Sequence, residues 1–119
     1  MEIHIKYTNI QPNQDLKSYI GQRLGFLDKL AVPAHFGKKE LGEAVHAWVE
    51  IGKVTRHHRQ GLVWYAECNI RWPGKNLRAT STNYDLGAAI EEVKDDIELI
   101  LRKTKEKKME FIRRKKKIG

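Results

Sequence analysis

Apolar residues alternate at period two in four separate segments and recur at three-and-four spacing in two others. In chain order these read β-α-β-β-β-α. That pattern predicts an α+β chain: a two-layer β-α-β-β-β-α sandwich, with a four-stranded mixed sheet and two helices on one face. The length of 119 residues fits one domain. A hydrophobic content of 40% fills one core but no second one.

Ile3, Ile5 and Tyr7 alternate with Glu2, His4 and Lys6, which gives a first strand with one buried face. Ile10-Gln11-Pro12-Asn13 breaks it. The Asn13 side-chain oxygen can accept from the free amides of a following helix, making it an N-cap candidate. Leu16, Tyr19, Ile20, Leu24, Leu27 and Leu30 then share one stripe of a helix spanning about 13–30. Pro33 lies past its end, where proline is expected.

Residues 31–43 hold Pro33, Gly37 and Gly42 and read as a connection. Val45, Ala47, Val49 and Ile51 alternate with His46, Trp48 and Glu50, so a second strand covers about 44–54. The polar segment 55–61, TRHHRQG, is a basic hairpin loop. Trp64, Ala66, Cys68, Ile70 and Trp72 alternate with Tyr65, Glu67, Asn69 and Arg71 to give a third strand. Pro73-Gly74 marks a turn. Leu77, Ala79 and Ser81 predict a fourth strand, short and less apolar.

Asn83 or Asp85 can cap the last helix. Leu86, Ala89, Ile90, Val93, Ile97, Ile100, Leu101 and Thr104 hold one stripe along it. If helical from 84 to 112, it measures ~43 Å. A domain of this size has a radius of gyration of about 13 Å. Its C-terminal turns must therefore project, bend or fray. The first two strands, joined through a helix, should pair parallel by a right-handed crossover, and strands two to four should form an antiparallel meander.

The net charge of +8 is unevenly placed. From Met1 to Leu101 there are 13 basic and 13 acidic residues; from Arg102 to Gly119 there are 10 basic and 2 acidic. A neutral body with a cationic end suits a polyanion, nucleic acid before anionic membrane. Six acids and one base between Asp85 and Glu98, followed by the basic run, complement the helix dipole. The dipole effect fades within the last turn, so it does not account for ten basic residues. Phosphate is the simplest cause. Lysine predominates over arginine, which suits backbone contact better than base reading. A solvated, solubilising tail is the plain alternative.

Chemistry-bearing sets are sparse. Cys68 is the single cysteine, which excludes an internal disulfide and a multi-cysteine zinc site. It reads as a small buried hydrophobe. There is no glycine-rich phosphate loop and no G-x-S-x-G. Asp95-Asp96 point about 100° apart on a helix and read as a solvated face. No enzyme activity, cofactor, metal or small-molecule substrate is expected. No apolar run nears the roughly 18 residues of a membrane span, and MEIHIKY lacks a secretory core, so a cytoplasmic setting is expected.

Arg56-His57-His58-Arg59 lacks a third ligand at metal spacing. As a hairpin tip it is either a cationic finger for phosphate or an unstacked base, or a solvated loop. Trp64 and Trp72 share parity with Ala66, Cys68 and Ile70 and are expected in the core. Trp48 has the opposite parity. It is expected on the open sheet face, near Tyr65 if the register allows, as a partner contact or edge cover.

The stretch Ala66-Glu67-Cys68-Asn69-Ile70-Arg71-Trp72-Pro73-Gly74-Lys75-Asn76-Leu77-Arg78-Ala79 resembles strands three and four of the ribosome hibernation-promoting factors. These are also called ribosome-associated inhibitor, protein Y or sigma-54 modulation protein. Asp85-Leu86-Gly87-Ala88-Ala89-Ile90, with Val93 and Asp95, resembles the start of the family's second helix. Arg102-Lys103-Thr104-Lys105 resembles the R-K-x-K that follows it. Val49-Glu50-Ile51-Gly52-Lys53 with His57-His58 is similar as well. The resemblance runs from Ile3 to about Lys108 and is most specific after residue 44. It implies the same β-α-β-β-β-α fold and a cytoplasmic short-form hibernation factor. Such a protein occupies the messenger and transfer RNA channel of the small ribosomal subunit at the A and P sites. It contacts 16S ribosomal RNA and inhibits translation under stress by steric occlusion.

Arg23, Lys29, Lys75, Lys94, Arg102, Lys103 and Lys105 match basic positions of the family. Arg56, His57, His58 and Arg59 of the hairpin, and Lys107, Lys108, Arg113 and Arg114 of the C-terminal segment, complete the candidate RNA-binding set. Phe26, Gly87, Asp96, Leu99 and Ile100 depart from the family pattern. Leu99 also falls outside the helix stripe and is a candidate protein contact. Residues 1–108 are expected to form the ribosome-binding domain and 109–119 a basic C-terminal tail. That tail stands where long family members carry a dimerisation domain, so the protein is expected to be a monomer off the ribosome. A generic double-stranded RNA-binding module outside the ribosome is the alternative. A third possibility is a protein-interaction domain acting through its sheet edge.

Overall fold

The computed structural model describes residues 2–27, 46–54, 63–72 and 75–118, and within them the side chains of all but 72, 108, 112 and 116–118. The elements are β1 (Glu2–Thr8), α1 (Gln14–Gly25), β2 (His46–Val54), β3 (Val63–Trp72), β4 (Lys75–Asn83) and α2 (Leu86–Ile118). The sheet order is β1-β2-β3-β4. β1 pairs parallel with β2, and the other two pairings are antiparallel. This is the α+β sandwich with a mixed four-stranded sheet that the hydrophobic periods predict. The expected end of the first helix near residue 30, the 31–43 connection, the 55–61 hairpin and the Pro73-Gly74 turn lie outside the described residues.

One sheet face is apolar and covered. Ala47, Val49 and Ile51 of β2, Ala66, Cys68 and Ile70 of β3, and Leu77 and Ala79 of β4 form a buried layer. Ile20 and Leu24 of α1, and Ala89, Ile90, Val93, Ile97 and Leu101 of α2, close over it. Each fully buried leucine or isoleucine contributes roughly 1.5–3 kcal/mol. Ile3, Ile5 and Tyr7 of β1 pack at the edge of this core.

Side-chain caps start both helices. Asn13 Oδ1 accepts from the amides of Asp15 (2.8 Å) and Leu16 (3.4 Å). For α2, Asp85 is the cap: its carboxylate accepts from the Ala88 amide at 3.2 Å. Asn83 in turn accepts from the Asp85 amide at 2.9 Å and donates to Glu92 at 2.8 Å. Asn9, at φ 60°, takes the left-handed conformation that lets the chain leave β1.

Three expectations change. β4 is a full nine-residue strand rather than a short one. Its inward positions Ser81 and Asn83 are polar because both hydrogen-bond Glu92 of α2, which hides the strand's period from a hydrophobicity reading. α2 continues past 112 to Ile118, a length of about 50 Å at helical rise. Trp64 has the inward parity but is only half-buried: it lies near the sheet's end, with Lys53 Nζ 5.5 Å from its ring centroid.

Gly52 pairs with Thr8 across the parallel strands, and a Cβ there would run into the Thr8 carbonyl oxygen. Gly21, within α1, has open space around its Cβ position. Gly52→Ala should therefore lower stability by about 1–3 kcal/mol in urea unfolding. Gly21→Ala should raise it by about 0.5–1 kcal/mol through helix propensity.

Candidate nucleic-acid interface

α2 is divided electrically along its length. Its first half is anchored and internally neutralised. Arg23 of α1 reaches Glu91 of α2 at 2.8 Å, and Lys94 meets the same carboxylate at 3.1 Å and Asp95 at 3.4 Å. Tyr19 donates to Glu91 as well. Glu91 thereby ties the two helices together. Its hydrogen bond to Lys94, with Asp95 adding to it, raises the lysine's pKa. Lys94 Nζ also sits 5.6 Å from the Phe26 ring centroid. Two of the candidate phosphate contacts, Arg23 and Lys94, thus already have carboxylate partners.

Among the described residues, Leu101 is the last buried position of α2. The helix beyond it carries the charge surplus. Arg102 pairs with Glu98 at 2.9 Å, and Arg114 with Glu110 at 2.9 Å, both at i,i+4. Such exposed pairs contribute only tenths of a kcal/mol and leave the charges accessible. Among the described residues, no ion pair involves Lys103, Lys105, Lys107 or Arg113. At about 100° per residue, Arg102, Lys103, Lys105 and Lys115 fall on four different sides of the helix. The distal helix is therefore cationic all round rather than along one face. Lys75 is exposed at the start of β4. Lys29 and Arg56, His57, His58 and Arg59 lie outside the described residues, as does the side chain of Lys108.

The open sheet face is polar with one aromatic patch. Trp48 is 39% exposed on it. The register places Trp48 opposite Asn69 and Tyr65 opposite Gly52, so Trp48 and Tyr65 are not neighbours. Trp48 instead stacks on His4 and carries the Arg71 guanidinium 5.0 Å from its ring centroid. Trp48, Asn69, Arg71 and Asn76 line a shallow depression of about 330 Å³. Arg71 was not among the candidate residues. Its parity with Tyr65, Glu67 and Asn69 marked it as outward-facing, but only the cross-strand register brings it onto Trp48. Leu99 is exposed, as its position off the helix stripe requires.

Glu67 is the buried charged residue of this face. Burial pushes its carboxyl up, but hydrogen bonds from Tyr65 and Asn69 and the charge of Arg78 outweigh that and hold it below its ordinary value. The Tyr65 hydroxyl donates to it at 2.7 Å, and the phenol's pKa is raised by burial and by this carboxylate. Behind it, Cys68 is fully buried, and burial with the nearby Glu67 charge pushes its thiol up to about 12. The thiol stays protonated and packs as a small apolar group, as expected.

The molecule is thus a two-layer α+β domain with a cationic helical extension. The family profile described as Sigma 54 modulation protein / S30EA ribosomal protein matches residues 3–109, and the chain belongs to that family. No curated protein sequence matches it. Among solved structures it resembles the N-terminal domain of Thermus thermophilus Protein Y, with a TM-score of 0.65 and 19% identity, covering 87% of this chain and 99% of that one. It also resembles a ribosomal subunit interface protein from Coxiella burnetii, with a TM-score of 0.64 and 14% identity, covering 88% and 98%. At these identities the two structures establish the fold.

Glu67 titrates below its ordinary value of 4.5 when folded, so its contribution to stability is complete above that pH and is lost as pH falls through the folded value. Glu67→Gln should therefore reduce stability at pH 7 by about 1 kcal/mol. It should also flatten the loss of stability on acidification below pH ~4.5, as followed by urea unfolding over a pH series.

Proposed function

We propose that the protein is a ribosome hibernation factor that binds the small ribosomal subunit. It occupies the channel for messenger and transfer RNA at the A and P sites, against 16S ribosomal RNA, and inhibits translation under stress by occupancy alone. Family membership supports association with the ribosome. The carrying observation is the distal half of α2: a helix cationic on every side, extending from a charge-balanced domain. A helix that only lay on a flat phosphate surface would need one basic face. A basic circumference suits a site with phosphates on several sides, such as an RNA-lined channel.

In this arrangement residues 1–108 supply the wedge, and residues 109–118 continue the cationic rod as one helix with it. The affinity is electrostatic and the placement steric, so the mechanism needs neither catalysis nor cofactor. Each phosphate neutralised releases condensed counterions, and affinity falls with salt accordingly. The cytoplasm is the matching compartment. No helix among the described residues is long and apolar enough to cross a membrane. The pairing of Arg23 and Lys94 with Glu91 ranks the candidates: the distal cations should contribute most to the salt dependence.

The test is co-sedimentation with purified small subunits over a salt series, with and without messenger and initiator transfer RNA. Binding should fall with salt and be displaced by those RNAs. Salt-sensitive binding that ignores the competitors, with equal binding to free RNA duplex, would instead describe a generic double-stranded RNA module. Replacing Lys103, Lys107 and Arg113 by Gln should lower the slope of log affinity against log salt by about 2–3. Replacing Arg23 and Lys94 should lower it by less than about 1.

A further inference from the structure

At one end of the open sheet face, three ligand-type side chains meet that the ribosome reading does not use. Glu2 and His46 are directly paired across the parallel β1–β2 ladder, and His4 lies two residues along β1, opposite Trp48. All three project from the outward face. His4 Nε2 and His46 Nδ1 are 3.2 Å apart. Glu2 Oε2 is 3.3 Å from His46 Nδ1 and 3.7 Å from His4 Nε2.

We infer that Glu2, His4 and His46 form a binding site for a borderline transition-metal dication of the zinc class. Zinc holds nitrogen at about 2.0–2.1 Å and carboxylate oxygen at about 2.0–2.2 Å, so the edges of a tetrahedral site measure roughly 3.3–3.4 Å. The three observed separations bracket that value. Two imidazoles and one carboxylate are a donor set that zinc accepts and that magnesium or calcium, which require oxygen, do not favour. Three protein ligands leave a fourth position open to water.

The surroundings favour an oriented site. Trp48 backs it: its ring lies 5.4 Å from that of His4 at 20° and 5.4 Å from that of His46. Coordination requires His4 Nε2 and His46 Nδ1 both to be unprotonated, which places the ring protons on His4 Nδ1 and His46 Nε2. Without a metal, one of the two facing nitrogens must instead donate to the other. The occupied site would staple the edge strand β1 to β2 close to its N-terminal end. The inference rests on side-chain geometry alone and stands apart from ribosome binding.

The experiment is calorimetric titration of the full chain with Zn²⁺ and, in parallel, with Mg²⁺, while the Trp48 indole resonance is followed by NMR. Zn²⁺ should saturate at one equivalent and shift the Trp48 indole signal; Mg²⁺ should do neither. His4→Ala and His46→Ala should each weaken zinc binding at least about tenfold. Glu2→Gln should weaken it less, and the double variant His57→Ala/His58→Ala should leave it unchanged. Absence of saturable binding by about 1 mM Zn²⁺, a threshold for even weak affinity, would overturn the site. So would binding that is lost with the His57/His58 variant and survives both His4→Ala and His46→Ala. The Trp48 shift in the unaltered chain is read without any substitution, so a variant that failed to fold would not shield the proposal.

Discussion

Every other feature of this molecule depends on a sheet with only one face to bury. Two helical stripes, one on α1 and one on α2, must both lie on the row of Ala47, Val49, Ile51, Ala66, Cys68 and Ile70. The β1–β2 pairing is parallel, and Gly52 lets the strands approach where a side chain would meet the Thr8 carbonyl. Once both helices are committed to that face, the opposite face is open. Its polar groups must then satisfy one another or water. Glu67 does so through Tyr65 and Arg78, and Trp48 through its stack with His4 and Arg71.

The same constraint determines where charge is available. While α2 lies on the sheet, its flank faces α1, and Glu91 compensates both Arg23 and Lys94, with Asp95 adding to Lys94. Once the sheet ends, nothing described on the domain competes for the helix's cations except its own Glu98 and Glu110. A net charge of +8 is thus concentrated on a narrow rod rather than spread over a sphere. The radius of gyration, 16.7 Å, exceeds the ~13 Å usual for a domain near this length because of that rod. Charge at the tip of an extended body acts at longer reach than the same charge on a compact surface, and salt screens it accordingly.

The element order, both caps and the helix stripes were legible because each follows from a local rule: period two, period 3.6, or a short polar side chain before a stripe. What was not legible depends on residues distant in sequence. Trp48 falls opposite Asn69 rather than near Tyr65, since register is a property of the two paired strands, whereas parity comes from one strand alone. His46 lies more than forty positions from Glu2 and His4, and only parallel pairing joins it to them. Arg23 and Lys94 looked like available cations until Glu91 came between them. The helix end at 118 was missed for a different reason. Beyond Thr104 the segment is polar on all sides, so no stripe marks it.

A helix without a buried face needs another source of order. Nucleation is already supplied by the anchored turns up to Leu101, so the extension has only to propagate. Lysine and arginine are good helix formers, and cations near a C-terminus complement the dipole. Glu98–Arg102 and Glu110–Arg114 have the favourable acid-before-base order and add about 0.2–0.5 kcal/mol each. Against these stands repulsion among ten basic side chains, which grows as salt falls. A polyanion removes that repulsion and leaves the favourable contributions in place. Binding of a polyanion to this segment and helical order within it would therefore be coupled in the same direction, since the charge neutralisation that favours binding also favours the helix.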